Sequence, residues 1–272
     1  DRVSMGIIGL GGRGSYHVGA YTRIPQAQIV ALCDVNQAAR ERMIRGAREC
    51  LQILKGASPD KLMNYNGELY KVWGYQPKWY TDKPPLIYFG SNHPQSRKLS
   101  AELADGLITS DFVPSLMKEF VDSTHADLRA AGRSPRDFRI SNFWAWHIKK
   151  DRAASLHEAR VGLFARAEVI PPQIGLDHLL DEDEAQLVRD NYRNFLMAGV
   201  TGTGEIRGVP PGLVQRLIDA VSSSGDFSDI DREVERYREM ERTGLTDLAL
   251  RVFNDPFDAL RTIKKHVMPH FS

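Results

Sequence analysis

Two short stretches of this chain carry residue types at spacings that could hold a phosphate. The first is Gly9-Leu10-Gly11-Gly12-Arg13-Gly14, a G-x-G-x-x-G pattern, with Asp34 lying 20 residues beyond Gly14. Glycines at Gly9, Gly11 and Gly14 would permit a tight turn and a close approach of backbone N–H groups to a pyrophosphate. A helix start would add its positive dipole end, and Asp34 could accept from a ribose hydroxyl. The plainer alternative is a sharp strand-to-helix turn in which Asp34 caps a loop. The second stretch is Gly90-Ser91-Asn92-His93-Pro94, directly after the apolar run Leu86-Ile87-Tyr88-Phe89. Gly90 lets the backbone come close, Ser91 and Asn92 can donate, His93 can add charge, and the helix that follows supplies N–H groups. From spacing alone, an ordinary strand-to-helix turn with a good cap is slightly the better explanation.

Other candidates are weaker. Asn142, Trp144 and Trp146 alternate along one strand with Phe143, Ala145 and His147 on the other side, which reads as core or pocket wall. The functional alternative has Trp146 or His147, near the strand's C-terminal end, lining a cofactor or substrate site. His157, His178, His266 and His270 lack H-x-x-x-H or H-E-x-x-H spacing, so no metal site is expected. Asp181-Glu182-Asp183-Glu184 suits a helix N-terminus, where carboxylates meet the positive dipole end, better than it suits catalytic acids. There is no G-x-S-x-G and no Cys/His nucleophile pair, and no residue takes a catalytic role from this reading.

The elements that must position these residues are predominantly strands alternating with helices. Val3–Leu10 and Ile29–Cys33 read as strands around the first glycine loop, with a helix over Ser15–Arg23 between them. A helical stripe of Ala39, Met43, Ala47, Leu51 and Leu54 follows, to about Lys55. Turn chemistry at Asn64-Tyr65-Asn66-Gly67 and Gly74-Tyr75-Gln76-Pro77 flanks a short strand, Leu69–Val72. Strands are then expected at Leu86–Phe89, Gly106–Thr109, Phe138–Ile148 and Leu245–Phe253. Helices are expected at Ser96–Leu103, Val113–Ala131, Asp151–Ala167, Asp181–Met197, Pro211–Val221, Ile230–Arg242 and Asp258–Val267. Ser228 and Asp231 look like a capping pair for the helix at Ile230, and Ser222-Ser223-Ser224-Gly225 looks like a loop. Such alternation implies a parallel sheet covered by helices, as an open doubly wound sheet or a barrel.

Composition narrows the function classes. With 36 Lys plus Arg against 35 Asp plus Glu over 272 residues and no long run of one sign, neither a nucleic-acid tract nor a polybasic membrane anchor is expected. No apolar run is long enough to span a bilayer. The two cysteines, Cys33 and Cys50, read as buried thiols of a reducing compartment, and the expected location is cytoplasmic.

Met5 to Gly14, together with Ala31-Leu32-Cys33-Asp34-Val35-Asn36, resembles the opening of the Gfo/Idh/MocA family of NAD(P)-dependent oxidoreductases. That resemblance covers about the first 40 residues, and the family's Glu-Lys-Pro catalytic segment has no counterpart here. From about Met43 to Ser272 the chain resembles the luciferase-like monooxygenases, (β/α)8 barrels that use FMN or the deazaflavin F420. The carrying residues are Pro85-Leu86-Ile87-Tyr88-Phe89-Gly90, Ala104-Asp105-Gly106, the Tyr65–Tyr70 stretch and the closing Asp255-Pro256 helix. This resemblance implies an α/β fold: a Rossmann-like βαβ unit at 1–42 ahead of part of a TIM-like barrel at 43–272. It also implies an oxidoreductase whose FMN or F420 phosphate sits at Gly90, Ser91, Asn92 and His93, acting on a small-molecule substrate. The alternatives are NAD(P) bound through Gly9, Gly11, Gly14 and Asp34, or a folded chimera that binds no cofactor productively. Only four strands are expected in the luciferase-like part, half a barrel. Its open sheet edges would be covered by the N-terminal strands or by a second copy of the chain.

Overall fold

The structure is a computed structural model, and it describes residues 3–8, 27–33, 37–78, 86–90, 92–164 and 179–271. In chain order the elements are β1 (Val3–Ile8), β2 (Ala27–Cys33), α1 (Gln37–Gly56), β3 (Met63–Asn66), β4 (Lys71–Tyr75), β5 (Tyr88–Gly90) and α2 (Pro94–Leu103). Then come β6 (Gly106–Ser110), α3 (Pro114–Ala130), β7 (Arg139–Trp146), α4 (Arg152–Gly162), α5 (Glu182–Asp190) and α6 (Tyr192–Val200). The last are α7 (Pro211–Val221), β8 (Ser222–Ser223), α8 (Ile230–Arg242), β9 (Asp247–Val252) and α9 (Pro256–His266). Parallel strands alternate with helices, as expected: β1 pairs with β2, β5 with β6, and β7 with both β8 and β9. The exception is the antiparallel hairpin β3–β4. The chain divides into two compact units, residues 1–108 with 124–139, and residues 109–123 with 140–272.

In the first unit, α1 turns Ile44, Ala47 and Leu51 toward Leu99, Ala104 and Ile87. Leu54 and Cys50 are exposed, which corrects the expected stripe and the expected burial of that thiol. Cys50 is one position, about 100° of helix, from the inward Leu51. The Ala-Asp-Gly segment has a packing logic. Ala104 is fully buried, and the Asp105 carboxylate accepts from the Ile87 N–H at 2.8 Å and pairs with Lys55. It thereby ties the start of β5 to the start of β6. At Gly106 a Cβ would stand 2.6 Å from the Tyr88 ring and 2.9 Å from the Arg139 carbonyl, so only glycine lets these strands close. Gly106→Ala should therefore lower stability by about 1–3 kcal/mol, the usual cost of overpacking, read as a lower urea midpoint at unchanged slope.

The hairpin departs from the expected strand at Leu69–Val72. Leu69 and Tyr70 belong to its turn, because the Glu49 carboxylate on α1 accepts from the N–H groups of Glu68 (2.8 Å), Leu69 (3.1 Å) and Tyr70 (2.7 Å). Desolvation alone would raise that carboxyl's pKa, but the three backbone donors outweigh it and hold it below the ordinary value.

In the second unit, Asp181 and Glu184 form a capping box at the start of α5, as the acidic cluster implied. The expected single helix from Asp181 to Met197 is two helices. The Asn191 side chain between them donates to the Leu187 carbonyl at 2.9 Å and accepts from Asn194 at 3.0 Å, competing with helix continuation. The box before α8 is Asp226 with Asp229 rather than Ser228 with Asp231. Hydrogen bonds from the Ser228 hydroxyl and N–H, joined by Arg152, pull the Asp226 carboxyl down to about 2. Ser222 and Ser223, expected in a loop, form the short strand β8 beside Ala145 and Trp146. Ser223 is wholly buried and donates to Glu233 at 2.7 Å. Its one proton spent there, it accepts from Trp144 Nε1 at 2.9 Å and from the Tyr237 hydroxyl at 2.6 Å. Arg232 and Arg236 each donate to Glu233 at 2.9 Å. No helix among the described residues is long and apolar enough to cross a membrane.

Candidate functional site

The turn from β5 to α2 is the candidate site in the first unit. β5 ends at Gly90, which is exposed and has no atom within 4 Å of where a Cβ would stand. Asn92 is half-buried and His93 is the N-cap of α2, its Nδ1 accepting from the Gln95 N–H at 3.3 Å. That places the proton of a neutral His93 ring on Nε2. Pro94 occupies the first helical turn, where a missing N–H costs nothing. Behind the turn, Arg97 pairs with Asp127 at 2.7 Å, and Ser100 donates to the Gly106 carbonyl at 3.1 Å, holding α2 against its neighbours. A strand ending in an open glycine and running into a capped helix N-terminus suits a phosphate group. Of the residues singled out from the sequence, Gly90, Asn92 and His93 come together here. Ser91, Gly9, Gly11, Gly14 and Asp34 lie outside the described residues, and so does His178.

A second constellation stands at the C-terminal ends of β7 and β9, in the second unit. The register pairs Phe143 with Ala249 and Ala145 with Arg251, so Phe143, Ala145 and His147 share a face with Ala249, Arg251 and Phe253. Trp146 takes the other face, where it is buried and its indole N–H has no hydrogen-bond partner among the described residues. The functional alternative for this strand end therefore falls to His147. The His147 ring stacks on Phe253 with centroids 4.6 Å apart, and its Nδ1 lies 2.9 Å from Glu158 Oε1. Lys149 Nζ and the Asn254 N–H approach Glu158 Oε2 at 3.1 Å and 3.3 Å. The Asp111, Arg251 and Phe253 members of this face were missed from the sequence. They sit just past or near the ends of strands separated by more than a hundred residues, and no local spacing reports them.

Burial pushes the Glu158 carboxyl up, but hydrogen bonds from His147 and Lys149, and their charges, outweigh it and hold the carboxyl below its ordinary value of 4.5. A depressed folded-state pKa contributes stability that is present above the unfolded value and lost as pH falls through the folded one. Stability should therefore decline below about pH 4.5, and Glu158→Gln should flatten that acid limb in a series of thermal melts from pH 6 to pH 3. No group of three or more His, Cys, Asp or Glu that could hold a metal occurs among the described residues.

The profile of the luciferase-like monooxygenase family matches residues 21–205. A 5,10-methylenetetrahydromethanopterin reductase of Archaeoglobus fulgidus is 26% identical over 231 residues, covering 84% of this chain and 67% of the relative. A protein of the same name from Methanopyrus kandleri is 24% identical over 189 residues, covering 68% of this chain and 50% of the relative. Among solved structures, the coenzyme F420 dependent tetrahydromethanopterin reductase of Methanopyrus kandleri superposes with a TM-score of 0.63 at 18% identity, over all of this chain and 83% of its own. An EDTA monooxygenase from Chelativorans superposes with a TM-score of 0.57 at 17% identity, over 90% of this chain and 66% of its own. Over 90 residues, 33% of this chain, a glycosyl hydrolase family 109 protein of Phocaeicola vulgatus is 47% identical, a match covering 15% of that relative.

Proposed function

We propose that this chain, which belongs to the luciferase-like monooxygenase family, is an oxidoreductase that binds F420 or FMN through the β5–α2 turn and acts on a small-molecule substrate. The observation that carries the reading is the open Gly90 at the end of a parallel strand, leading into the capped N-terminus of α2. The residues present suit the phosphate end of such a cofactor: Gly90 leaves room for its oxygens, and Asn92 and His93 stand beside it where α2 begins. When bound, the cofactor would supply the hydride or electron chemistry, and the chain would hold and orient it. F420 is the stronger choice of the two, since relatives matching most of the chain include an F420 dependent reductase. The NAD(P) alternative rests on Gly9, Gly11, Gly14 and Asp34, which lie outside the described residues.

In this reading residues 1–42 form a Rossmann-like unit ahead of the luciferase-like portion at 43–272. What supports the division is that β1 and β2 ladder only with each other among the described residues. A second copy covering an open sheet edge also belongs to the proposal. The test is titration of the full chain with F420, FMN and NADPH, followed by cofactor fluorescence. Saturable F420 or FMN binding with no response to NADPH is the expected result. Binding of NADPH alone, or of nothing, overturns the assignment.

A further inference from the structure

The second unit holds a cavity whose lining residues belong to neither constellation described above. Its volume is about 310 Å³, and α4, the 201–210 segment and α7 form its walls. Val209, Val214 and Ile218 are buried and make an aliphatic floor, while Ile206 is half-buried and Pro211 exposed at the rim. Gly204 sets the 201–210 segment against α4. Its backbone is left-handed (φ 63°), and a Cβ there would stand 3.3 Å from both the Arg160 Cβ and His157 Nδ1. Arg160, in the last turn of α4, is the one charged side chain lining the cavity among the described residues. Among those residues its guanidinium has no hydrogen-bond, ion-pair or ring partner, whereas Arg152, Arg232 and Arg236 of the same unit all hold carboxylates. Gln215, the other polar lining residue, donates through Nε2 to Asp219 at 2.9 Å. α7 opens at Pro210-Pro211 with no side chain capping it, so the positive end of that helix adds to the same rim. An arginine at a helix C-terminus gains from the dipole, but that gain needs no aliphatic cavity beside it.

We propose that this cavity binds a short aliphatic monocarboxylate, with Arg160 holding the carboxylate and Ile206, Val209, Val214 and Ile218 covering the chain. A guanidinium is always ionised, and its fork matches a carboxylate through two parallel N–H···O bonds. No aromatic ring lines the cavity among the described residues, so a flat conjugated skeleton gains nothing there over a flexible alkyl chain. At about 30 Å³ per water the cavity has the room of about ten waters, the small end of the range for ligand pockets, which suits an acid of about six carbons. A single cation balances a single negative charge and leaves a second one uncompensated. None of these residues lies in the β5–α2 turn, so the assignment stands apart from the cofactor reading and holds whether or not that reading does.

The experiment is ligand-observed NMR on the full chain, without added cofactor, using acetate, butyrate, hexanoate, the neutral isostere hexanamide and inorganic phosphate. Hexanoate should saturate, and affinity should rise severalfold with each methylene from acetate to hexanoate as more of the chain leaves water. Hexanamide should bind at least about tenfold more weakly than hexanoate, for want of the charge-assisted contact. Arg160→Gln should cost hexanoate the same factor and bring it level with hexanamide, while the thermal midpoint stays near that of the parent because no partner is stranded. Ile206→Glu, at the rim, should repel hexanoate and leave hexanamide largely as it was. No saturation by hexanoate, equal binding of hexanoate and hexanamide, acetate or phosphate binding as tightly as hexanoate, or parental affinity in Arg160→Gln would each overturn the proposal. Should one variant fail to fold, the other and the ligand series decide. Cofactor titration reads the redox assignment separately, so either can fail without the other.

Discussion

Gly90→Asp should weaken F420 or FMN binding about a hundredfold while leaving the thermal midpoint within a degree or so of the parent. The two halves of that expectation have different origins. A new Cβ at Gly90 meets nothing within 4 Å, so the substitution introduces no clash and no stability loss of the overpacking kind. The carboxylate, in contrast, would stand beside the cofactor's phosphate. At a separation of about 5 Å and an effective dielectric of about 20, two unit charges repel by about 3 kcal/mol, or about a hundredfold in Kd. Gly90→Ala adds the same Cβ without the charge and should bind nearly as the parent does. Equal losses in both variants would mean that shape governs the turn, and undiminished binding in Gly90→Asp would place the phosphate elsewhere. Gly11→Asp serves as the companion variant, and it should leave F420 or FMN binding unaffected.

The largest effect on folding is expected at Glu233. Its carboxylate is wholly buried and accepts from Ser223, Arg232 and Arg236, while Arg236 also donates to the carbonyls of Ser222 and Asp219 at 3.0 Å and 2.7 Å. Removing one partner of a buried pair strands the other charge, at about 3–5 kcal/mol. Glu233→Ala also leaves the Ser223 hydroxyl proton, and through it the Trp144 indole, without the arrangement that satisfies them. For a chain of this size that corresponds to a fall of roughly 10 °C in midpoint. Glu233→Gln keeps an acceptor for Ser223 and should lose less. A drop of under 1 kcal/mol for the alanine variant would show that the two arginines find new partners readily. Desolvation by burial, with the Glu233 charge beside it, pushes the Tyr237 hydroxyl pKa well above its ordinary value. It therefore stays a hydrogen-bond donor to Ser223 across the working pH range.

The parts of this molecule that could be read from the sequence are those where local chemistry and tertiary packing agree. The capping acids at Asp181 and Glu184, Pro114 at the start of α3, and the apolar run into Gly90 each declare an element within a few residues, and the alternation of strand and helix follows from them. Errors fell where a distant partner decides the outcome. The Leu69–Tyr70 stretch looks like a strand until Glu49, some 20 residues earlier, supplies the acceptor its N–H groups take instead. Ser222-Ser223 looks like a loop because serines favour turns, yet Glu233, Tyr237 and Trp144 satisfy Ser223 inside the core. Within the candidate sites, residues a few positions apart such as Gly90, Asn92 and His93 were legible as a unit. Arg251 and Asp111 were not, because only strand register brings them face to face.

The Glu49 contact has one more consequence, for the motions of the hairpin. Three successive amides, those of Glu68, Leu69 and Tyr70, share a single acceptor that belongs to another element. None of them can be released to water unless the carboxylate withdraws, and its withdrawal releases all of them. In hydrogen exchange they should behave as one unit with a common opening free energy, set by how often the tip of the hairpin lifts from α1 rather than by fraying of the β3–β4 ladder.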